Sequence, residues 1–234
     1  MPEIVYEDNH IIVVNKRPGE IVQGDKTGDE PLSETLKRYL KEKYSKPGNV
    51  FCGVVHRLDR PVGGLVVFAK TSKALTRLND MFRNGEVHKT YWAITRNRPP
   101  KDADELHHYI TTVERNNKSY VSLQPKEGAK EARLRYRLLS SSERYHLVEV
   151  ELLTGRKHQI RVQLASVGCP IKGDLKYGDK RSNPNGSISL IARHIEFIHP
   201  VSKQLISLDA PVPADDNLWQ ALSSNIPTND QTRP

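Results

Sequence analysis

One carboxylate stands among cationic side chains in a short polar segment between two apolar runs. Residues 56–70 read His-Arg-Leu-Asp-Arg-Pro-Val-Gly-Gly-Leu-Val-Val-Phe-Ala-Lys. The proline and the glycine pair interrupt regular structure, so Asp59 is expected on a loop between two strands, where functional side chains are common. Arg57 and Arg60 favour its ionised form, which suits a nucleophile or a charge stabiliser better than a general acid. The alternative is a turn residue whose oxygen accepts a backbone amide.

A second polar cluster occupies residues 153–164, which read Leu-Thr-Gly-Arg-Lys-His-Gln-Ile-Arg-Val-Gln-Leu. The spacing of Ile160 and Leu164 predicts a helix that buries one face. His158 and Arg161 lie three positions apart, so the helix places them together on an adjacent face. The cluster therefore presents several polar side chains from one turn and from the helix that follows it.

The positive end of this predicted helix is crowded with cations. Arg156, Lys157 and His158 stand at its N-terminus, where a cation typically costs a few tenths to about 1 kcal/mol. A helix N-terminus already favours phosphate, so the pattern indicates that the cluster binds an anion. The alternative is a solvated basic turn whose charges pair with Glu149 or Glu151.

Apolar periodicity predicts the elements that position both clusters. Strand-like runs fall at 4–6, 11–14, 89–95, 106–112, 119–124, 131–139, 145–153, 188–192, 194–198 and 204–208. Helices are predicted over 31–44, from a cap at Thr71 or Ser72 to Gly85, and over 215–222. The order of elements favours a largely antiparallel sheet in an α+β fold. We expect one domain over 1–224 and a flexible tail over 225–234.

Composition limits the class of protein. The chain has 234 residues and a net charge of +8, which favours a polyanionic partner such as nucleic acid. No apolar run approaches 18 residues and the N-terminus lacks a signal-peptide pattern, so a cytoplasmic protein without a membrane span is expected. Cys52 and Cys169 stand far apart with no Cys-x-x-Cys spacing, so two reduced, unpaired cysteines are expected rather than a disulfide or a zinc site. No metal or nucleotide-cofactor motif is present.

Five segments together carry a family resemblance. They are residues 13–19, 56–70, 89–91, 154–161 and 168–174. In residue type and order they resemble the RluA family of RNA pseudouridine synthases. The resemblance implies an α+β pseudouridine synthase fold, in which a mixed, mostly antiparallel sheet bends around a central basic cleft with helices outside. It also implies isomerisation of uridine to pseudouridine in rRNA or tRNA, without a metal or organic cofactor.

The same resemblance implies roles for individual residues. Asp59 matches the catalytic aspartate, Tyr91 the tyrosine that packs against the target base, and Arg161 the basic residue paired with the aspartate. Arg57 matches the residue that fills the space left by the displaced base. The predicted RNA contacts are His56, Arg57, Arg60, Arg156, Lys157, His158 and Gln159. Because the target atoms are shielded within stacked RNA, the nucleotide is expected to flip into the site.

Two positions depart from the family pattern. Gly63 stands where a small hydroxyl residue is common, and Gln163 stands where many members have histidine. The chain also begins directly at the family's first catalytic motif. A stand-alone catalytic domain without an S4-type RNA-binding domain is therefore expected, and we expect it to act as a monomer.

Three functions from different classes fit these residues. The leading interpretation is a pseudouridine synthase. The second is an RNA-binding protein of the same fold that lacks catalysis and acts in ribosome assembly, and the third is a hydrolytic nucleosidase. The residues leave open whether Asp59 attacks C1′, adds at C6 or acts through a glycal route, and they do not identify the target uridine.

Overall fold

The computed structural model describes residues 1–227. Its strands are β1 (Glu3–Glu7), β2 (Ile11–Lys16), β3 (Gly53–Val54), β4 (Gly63–Ala69), β5 (His88–Thr95), β6 (Ala103–Val113), β7 (Lys118–Ser122), β8 (Lys130–Ser141), β9 (His146–Leu152), β10 (Leu190–Ile198) and β11 (Leu205–Asp209). Its helices are α1 (Leu32–Lys43), α2 (Ser72–Asn84), α3 (Gln159–Ser166) and α4 (Asn217–Ser224). The chain divides into two compact units, Met1–His88 with Ala192–Ala210, and Lys89–Ile191 with residues 211–227.

The first unit is built around β2, whose apolar side chains are buried on both faces. This strand pairs antiparallel with β1 and with β4. Since side chains alternate along a strand, Ile11 and Val13 belong to one core cluster, which includes residues of α2. Ile12 and Val14 belong to a second core cluster, which is formed with α1. A strand that is covered on both faces explains the unbroken apolar run in this stretch.

The helices of the first unit end where their local chemistry predicts. The hydroxyl of Thr71 accepts a hydrogen bond from the Ala74 amide at 3.1 Å, and Gly85 follows α2 with a φ of 74°. An N-cap hydroxyl and a left-handed glycine satisfy the polar groups at the two helix ends. The predicted limits of α2 are therefore confirmed, and α1 falls within the predicted range 31–44.

The second unit contains strands in the order β5-β9-β8-β6-β7, joined by antiparallel pairs. One part of its core joins Trp92 and Ile94 of β5 with Trp219 of α4. Another part joins Ile110 of β6 with Val162 of α3. Helix α3 therefore packs on this sheet. Residues 153–158 connect β9 to α3, and we call this segment the basic turn.

The α+β class predicted from the sequence is confirmed, with one difference in the strands. Two strands were predicted at 188–192 and 194–198, whereas the structure has the single strand β10. Arg193 continues the strand because its guanidinium donates to the carbonyl oxygen of Ala210 and lies 3.1 Å from the carboxylate of Asp209. A charged residue with partners beside the strand need not interrupt it.

Both cysteines are free and buried. Burial raises the pKa of Cys52 to about 12, and it also raises the pKa of Cys169. The prediction of two unpaired cysteines is confirmed. Within residues 1–227, no helix is long and apolar enough to cross a membrane, and no group of three His, Cys, Asp or Glu residues could hold a metal ion. Most of the predicted tail, from 228 onward, lies outside the described residues.

Candidate active site

Asp59 lies in the first unit, in the loop of residues 55–62 between β3 and β4, as predicted. We call this segment the Asp59 loop. The carbonyl oxygen of Asp59 accepts a hydrogen bond from the Val62 amide at 3.0 Å, which closes a turn. At the end of β2, the Lys16 ammonium donates to the carbonyl oxygens of Arg60 and Val62 at 3.1 and 2.7 Å. A third bond from the same ammonium, at 3.0 Å, reaches the carbonyl oxygen of Arg17. The aspartate is thus presented by a loop that is held through its backbone.

Lys16 is almost completely buried, with 1% of the residue exposed. Burial lowers the pKa of its ammonium to about 8, and attraction to Glu20 and Asp59 opposes that shift. Removing an ammonium from water is costly, and the three carbonyl oxygens offset part of this cost by accepting hydrogen bonds from its three N–H groups. The Lys16 ammonium therefore both holds the backbone of the loop and attracts the Asp59 carboxylate.

His56, at the start of the Asp59 loop, is engaged inside the first unit. Its Nε2 atom accepts a hydrogen bond from the Val67 amide at 3.1 Å, and its ring stacks on Phe82 with 4.7 Å between ring centres. An Nε2 atom that accepts a hydrogen bond requires the neutral tautomer with its proton on Nδ1. In this position the imidazole holds the loop against β4, and its contact with RNA stays a prediction.

The two arginines beside the aspartate have different surroundings. Arg57 is exposed. Arg60 donates to the carboxylate of Asp29 and to the hydroxyl of Thr27, both at 2.6 Å, and it lies 3.4 Å from Asp25. These groups occupy donors of Arg60 that an RNA phosphate would use. Binding of RNA by Arg60 therefore requires an exchange of partners, whereas Arg57 is directly accessible to solvent.

Close contacts explain why the first two residues of β4 are glycines. A Cβ atom at Gly64, where φ is 109°, would lie 2.4 Å from the carbonyl oxygen of Ala192, so no side chain fits. A Cβ atom at Gly63 would lie 3.3 Å both from the carbonyl oxygen of Lys16 and from Cδ of Pro18. At Gly63, where the chain departs from the family pattern, Lys16 and Pro18 thus lie close enough to crowd a side chain.

Tyr91 lies on β5 in the second unit, where it is buried and pairs with Val150 of β9. Its neighbours Trp92 and Ile94 belong to the core cluster that includes α4. The alternation predicted for this strand puts Tyr91 on the face opposite to those two residues. Tyr91 is therefore positioned by the strand and not by a loop.

The basic turn is organised by the amide side chain of Gln159. Its Oε1 atom accepts hydrogen bonds from the Thr154 hydroxyl and from the Arg156 amide, both at 2.9 Å. Its Nε2 atom donates to the carbonyl oxygen of Arg133 at 3.0 Å. Gln159 is buried, so in this structure it shapes the turn, and its contact with RNA stays a prediction.

Arg156 and Lys157 are exposed on the basic turn. The Nε atom of Arg156 donates to the carbonyl oxygen of Glu131 at 2.7 Å, and the Lys157 ammonium lies 3.1 Å from the carboxylate of Glu114. The glutamates of β9, which were the alternative partners predicted from the sequence, pair with arginines of β8. The predicted partners Glu149 and Glu151 are therefore replaced by Glu114 for Lys157 and by a carbonyl oxygen for Arg156.

Arg161 is buried on α3 and is held from one side by Asp174. Its Nε and Nη2 atoms donate to the two carboxylate oxygens at 2.7 and 2.9 Å, and the two side chains are 6% and 1% exposed. A bidentate pair fixes both the position and the plane of a guanidinium. The ring of Tyr177 lies 5.1 Å from the guanidinium carbon, which adds a second support.

His158 adopts a left-handed backbone conformation, with a φ of 56°. This conformation is uncommon for a residue with a side chain, and surrounding contacts must maintain it. The Tyr177 hydroxyl lies 2.7 Å from Nδ1 of His158 and accepts a hydrogen bond from the Ser119 amide at 2.8 Å. Tyr177 therefore supports both His158 and Arg161.

The predicted site residues fall into two groups. Asp59 belongs to the first unit with His56, Arg57 and Arg60, and Tyr91 and Arg161 belong to the second unit with residues 156–159. Sequence analysis missed three residues that hold these groups in place, namely Lys16, Asp174 and Tyr177. Lys16 and Asp174 stand within segments 13–19 and 168–174, which carry the resemblance, but no role was predicted for either. Tyr177 lies three positions beyond the second segment and had no signal of its own.

Comparison with known families decides which class of protein this is. The family profile described as RNA pseudouridylate synthase matches residues 10–166. The chain belongs to this family. The match includes the Asp59 loop, Tyr91 and Arg161, so the residues with predicted catalytic roles all lie within the family's own region.

Named relatives support the same conclusion. Ribosomal large subunit pseudouridine synthase D of Zymomonas mobilis is 32% identical, and the match covers 92% of this chain and 71% of the relative. tRNA pseudouridine synthase C of Vibrio cholerae is 33% identical, and the match covers 97% of this chain and 96% of the relative. The predicted RluA-type family and the predicted enzyme class, RNA pseudouridine synthase, are confirmed.

Solved structures confirm the fold. Human RNA Pseudouridylate Synthase Domain Containing 4 has a TM-score of 0.76 and 26% identity, over 91% of this chain and 89% of that chain. Human RNA Pseudouridylate Synthase Domain Containing 1 has a TM-score of 0.70 and 22% identity, over 97% of each chain. The second similarity concerns the fold alone.

Proposed function

We propose that this pseudouridine synthase isomerises specific uridines in structured RNA, with Asp59 as the catalytic carboxylate and the target nucleotide flipped out of its stack. The observation that carries the proposal is the buried Lys16 ammonium, which fastens the backbone of the Asp59 loop through Arg60 and Val62. A loop whose backbone is fixed before the substrate binds can present its carboxylate for attack on a sugar carbon, or for stabilisation of charge there. The net charge of +8 supports a phosphate-rich substrate.

The proposed reaction rearranges bonds within one nucleotide. The C1′–N1 bond breaks, the uracil turns while it is held, and a C1′–C5 bond forms. C5 then loses its proton and N1 gains one, so the reaction balances without a further reactant. Asp59 attacks the nucleotide or stabilises the positive charge that develops on the ribose. Attack at C1′, addition at C6 and a glycal route are all compatible with this role.

The other two residues have supporting roles in this proposal. Tyr91 bounds the target base and is a candidate for removing the proton from C5. Arg161 is the basic residue of the proposed catalytic set, by its match to the family motif. Flipping gives the protein access to atoms that a stacked base hides, and the cations Arg156 and Lys157 hold phosphates of the surrounding strand.

Transfer RNA is the first substrate class to test, and ribosomal RNA is the second. Of the two relatives named above, the tRNA synthase matches this chain over nearly the whole length of both proteins. The ribosomal synthase is the longer protein, and this chain covers 71% of it.

The test is tritium release from RNA that carries uridine labelled at C5. Transfer and ribosomal RNA from cells that lack this protein are assayed separately with the wild type, Asp59→Ala, and the exposed-carboxylate control Asp80→Ala. Release by the wild type and the control, but not by Asp59→Ala, supports the proposal and identifies the RNA class. Tight RNA binding without release would favour the non-catalytic assembly protein. Free uracil with an abasic site would indicate a nucleosidase.

A further inference from the structure

Lysines surround an exposed tyrosine where α1 ends, at a place that no predicted site residue occupies. Tyr44 follows the last residue of α1 and is 46% exposed. The ammonium groups of Lys43, Lys46 and Lys70 lie 5.4, 5.5 and 4.9 Å from the centre of its ring. These distances fall within the range of cation–π contacts. The first unit therefore carries a cationic and aromatic cluster in addition to the Asp59 loop.

The cluster is built on one buried carboxylate, Glu7, at the end of β1. Its Oε1 atom accepts hydrogen bonds from the Tyr44 hydroxyl at 2.7 Å and from Lys70 at 2.8 Å. Its Oε2 atom accepts bonds from Lys43 at 2.8 Å and from the Tyr39 hydroxyl at 3.1 Å. Burial alone would raise the pKa of Glu7, but bonds from Lys43, Lys70 and Tyr44 lower it to about 2. Glu7 is therefore ionised at neutral pH and joins the ends of β1, β4 and α1.

The charges of this cluster do not cancel. The side chains of Glu7 and Lys70 are 7% and 5% exposed and form a buried pair of opposite charges. Lys43 and Lys46 then add two positive charges at the surface, and both residues are exposed. One cation would neutralise the carboxylate, but Lys43 and Lys70 both bond to it, and Lys46 lies beside the same ring. An excess of two cations beside an exposed ring points to an anionic ligand with a flat surface.

We propose that Lys43, Tyr44 and Lys46 form an accessory surface for single-stranded RNA, where the ammonium groups contact phosphates and the tyrosine ring stacks on a base. The proposal rests on the proposed function only in taking RNA as the partner. Proteins that bind single strands combine cations along the backbone with aromatic rings that stack on bases. The bonds to Glu7 hold Lys43 and Tyr44 in place before RNA arrives, which reduces the conformational entropy lost on binding.

The cation contacts are tested by the salt dependence of binding. A fluorescently labelled, unstructured oligoribonucleotide is titrated with the wild type, the double variant Lys43→Ala/Lys46→Ala, and the control double variant Lys37→Ala/Arg83→Ala. The control changes the net charge equally and removes exposed cations that pair with carboxylates three positions away. We expect the lysine variant to bind about tenfold more weakly at low salt and to lose about 1.4 from the slope of log K against log salt.

Two results would overturn the cation contacts. Equal weakening in the control would mean that only the total charge matters. Unchanged binding in both variants would mean that the cluster serves only to join chain ends. Lys46→Ala alone leaves every bond to Glu7 intact. We expect it to lower the slope of log K against log salt by about half as much as the double variant does. This single variant therefore tests the contact even if the double variant has a folding defect.

The stacking contact is tested with Tyr44→Phe and Tyr44→Ala. The phenylalanine keeps the ring but loses the bond to Glu7, so we expect its affinity to stay within about twofold of the wild type. The alanine loses the ring, and we expect binding to weaken roughly five- to tenfold. Equal affinity of the two variants would exclude stacking. Because binding is measured without turnover, an inactive wild type would refute the proposed function and still leave this test valid.

Discussion

The two polar clusters are held in place by different means. The Asp59 loop is fastened through its backbone, because the Lys16 ammonium binds carbonyl oxygens that any loop sequence would supply. The basic turn and α3 are fastened through side chains, with Gln159 closing the turn and Asp174 holding Arg161. Lys16 is the side chain that donates to carbonyl oxygens of the loop, while the His56 imidazole holds the start of the loop against β4. A turn held through side chains spreads its dependence over several residues.

The strongest test of the loop is removal of its carboxylate. In Asp59→Ala the lysine still binds the backbone of the loop, so we expect the loop and the affinity for RNA to be largely preserved. The single-turnover rate should fall by at least about 10³-fold, while the dissociation constant for RNA changes by no more than about threefold. Rapid-quench tritium release and filter binding measure the two quantities. Similar losses of rate and affinity in a folded variant would contradict a catalytic role for Asp59.

Replacing the lysine tests whether the loop depends on one group. Lys16→Met removes the charge and all three bonds to carbonyl groups while roughly keeping the volume of the side chain. A displacement of about 1 Å at a reacting group can cost about 10²-fold in rate, and we expect a loss of that order in single-turnover tritium release.

A core variant separates this effect from general instability. Leu222→Ala, in the core cluster of the second unit that includes α4, should destabilise the chain by about 2–5 kcal/mol in denaturant unfolding. Leu222 belongs to the unit that does not contain the Asp59 loop, so the rate of this variant should stay close to the wild type at temperatures where it is folded. If Leu222→Ala were as slow as Lys16→Met, the lysine would have no specific effect on the loop.

Raising the pH tests the same lysine without a substitution. Its pKa is about 8 in the folded chain and near 10.5 when exposed, so the unfolded chain binds more protons between these values. Lys16 therefore makes folding more favourable as the pH rises through this interval. A neutral amine has only two N–H donors for three carbonyl oxygens, so the loop loosens. We expect the single-turnover rate to fall above about pH 8, whereas deprotonation of Lys16 should not lower Tm.

The variant Lys16→Met supplies the control for this pH profile. It has no group that titrates at this position, so its own rate, although low, should lack the decline near pH 8. A decline of the same size in Lys16→Met would assign the titration to a different residue.

A smaller effect is expected where several side chains share the support. Asp174→Asn keeps the shape of the side chain but removes the charge that holds Arg161, and Tyr177 still packs against the guanidinium. We expect about a tenfold loss in single-turnover rate, with partial recovery in Asp174→Glu, which restores the charge. A loss as large as that of Asp59→Ala would mean that α3 depends on a single contact after all.

The smallest effect is expected at Gly63. In Gly63→Ser the new Cβ atom lies 3.3 Å from the carbonyl oxygen of Lys16, so its neighbours must shift by a few tenths of an ångström. We expect Tm to fall slightly and the rate to change by less than about threefold, because the lysine bonds remain. Gly63→Ala is the matched control, since it adds the same Cβ atom without a hydroxyl. A rate increase confined to the serine variant would show that a hydroxyl supports the loop.

The sequence predicted best what depends on local chemistry. The cap at Thr71 and the end at Gly85 follow from residues within one helix, and both were correct. The motifs of the Asp59 loop and the basic turn were also visible, because their residues are adjacent in the chain. The strand through Arg193 was wrongly divided in two because its partner groups lie on another segment.

What the sequence could not predict depends on distant partners. The bonds from Arg60 to Asp25 and Asp29 join residues 35 and 31 positions apart, and no periodicity indicates them. The burial of Lys16 depends on where the Asp59 loop closes over the end of β2. The support of Arg161 by Asp174 likewise follows from the path of the chain after α3, so it required coordinates.

The two buried cysteines provide a probe of local opening that needs no engineering. Cys52 lies in the first unit and Cys169 in the second, and burial raises the pKa of each thiol. An exposed thiolate attacks an alkylating reagent, so each cysteine becomes reactive only when its own surroundings open. Mass spectrometry of alkylated peptides would therefore report how often each unit opens under native conditions, and bound RNA would slow the labelling of whichever unit it stabilises.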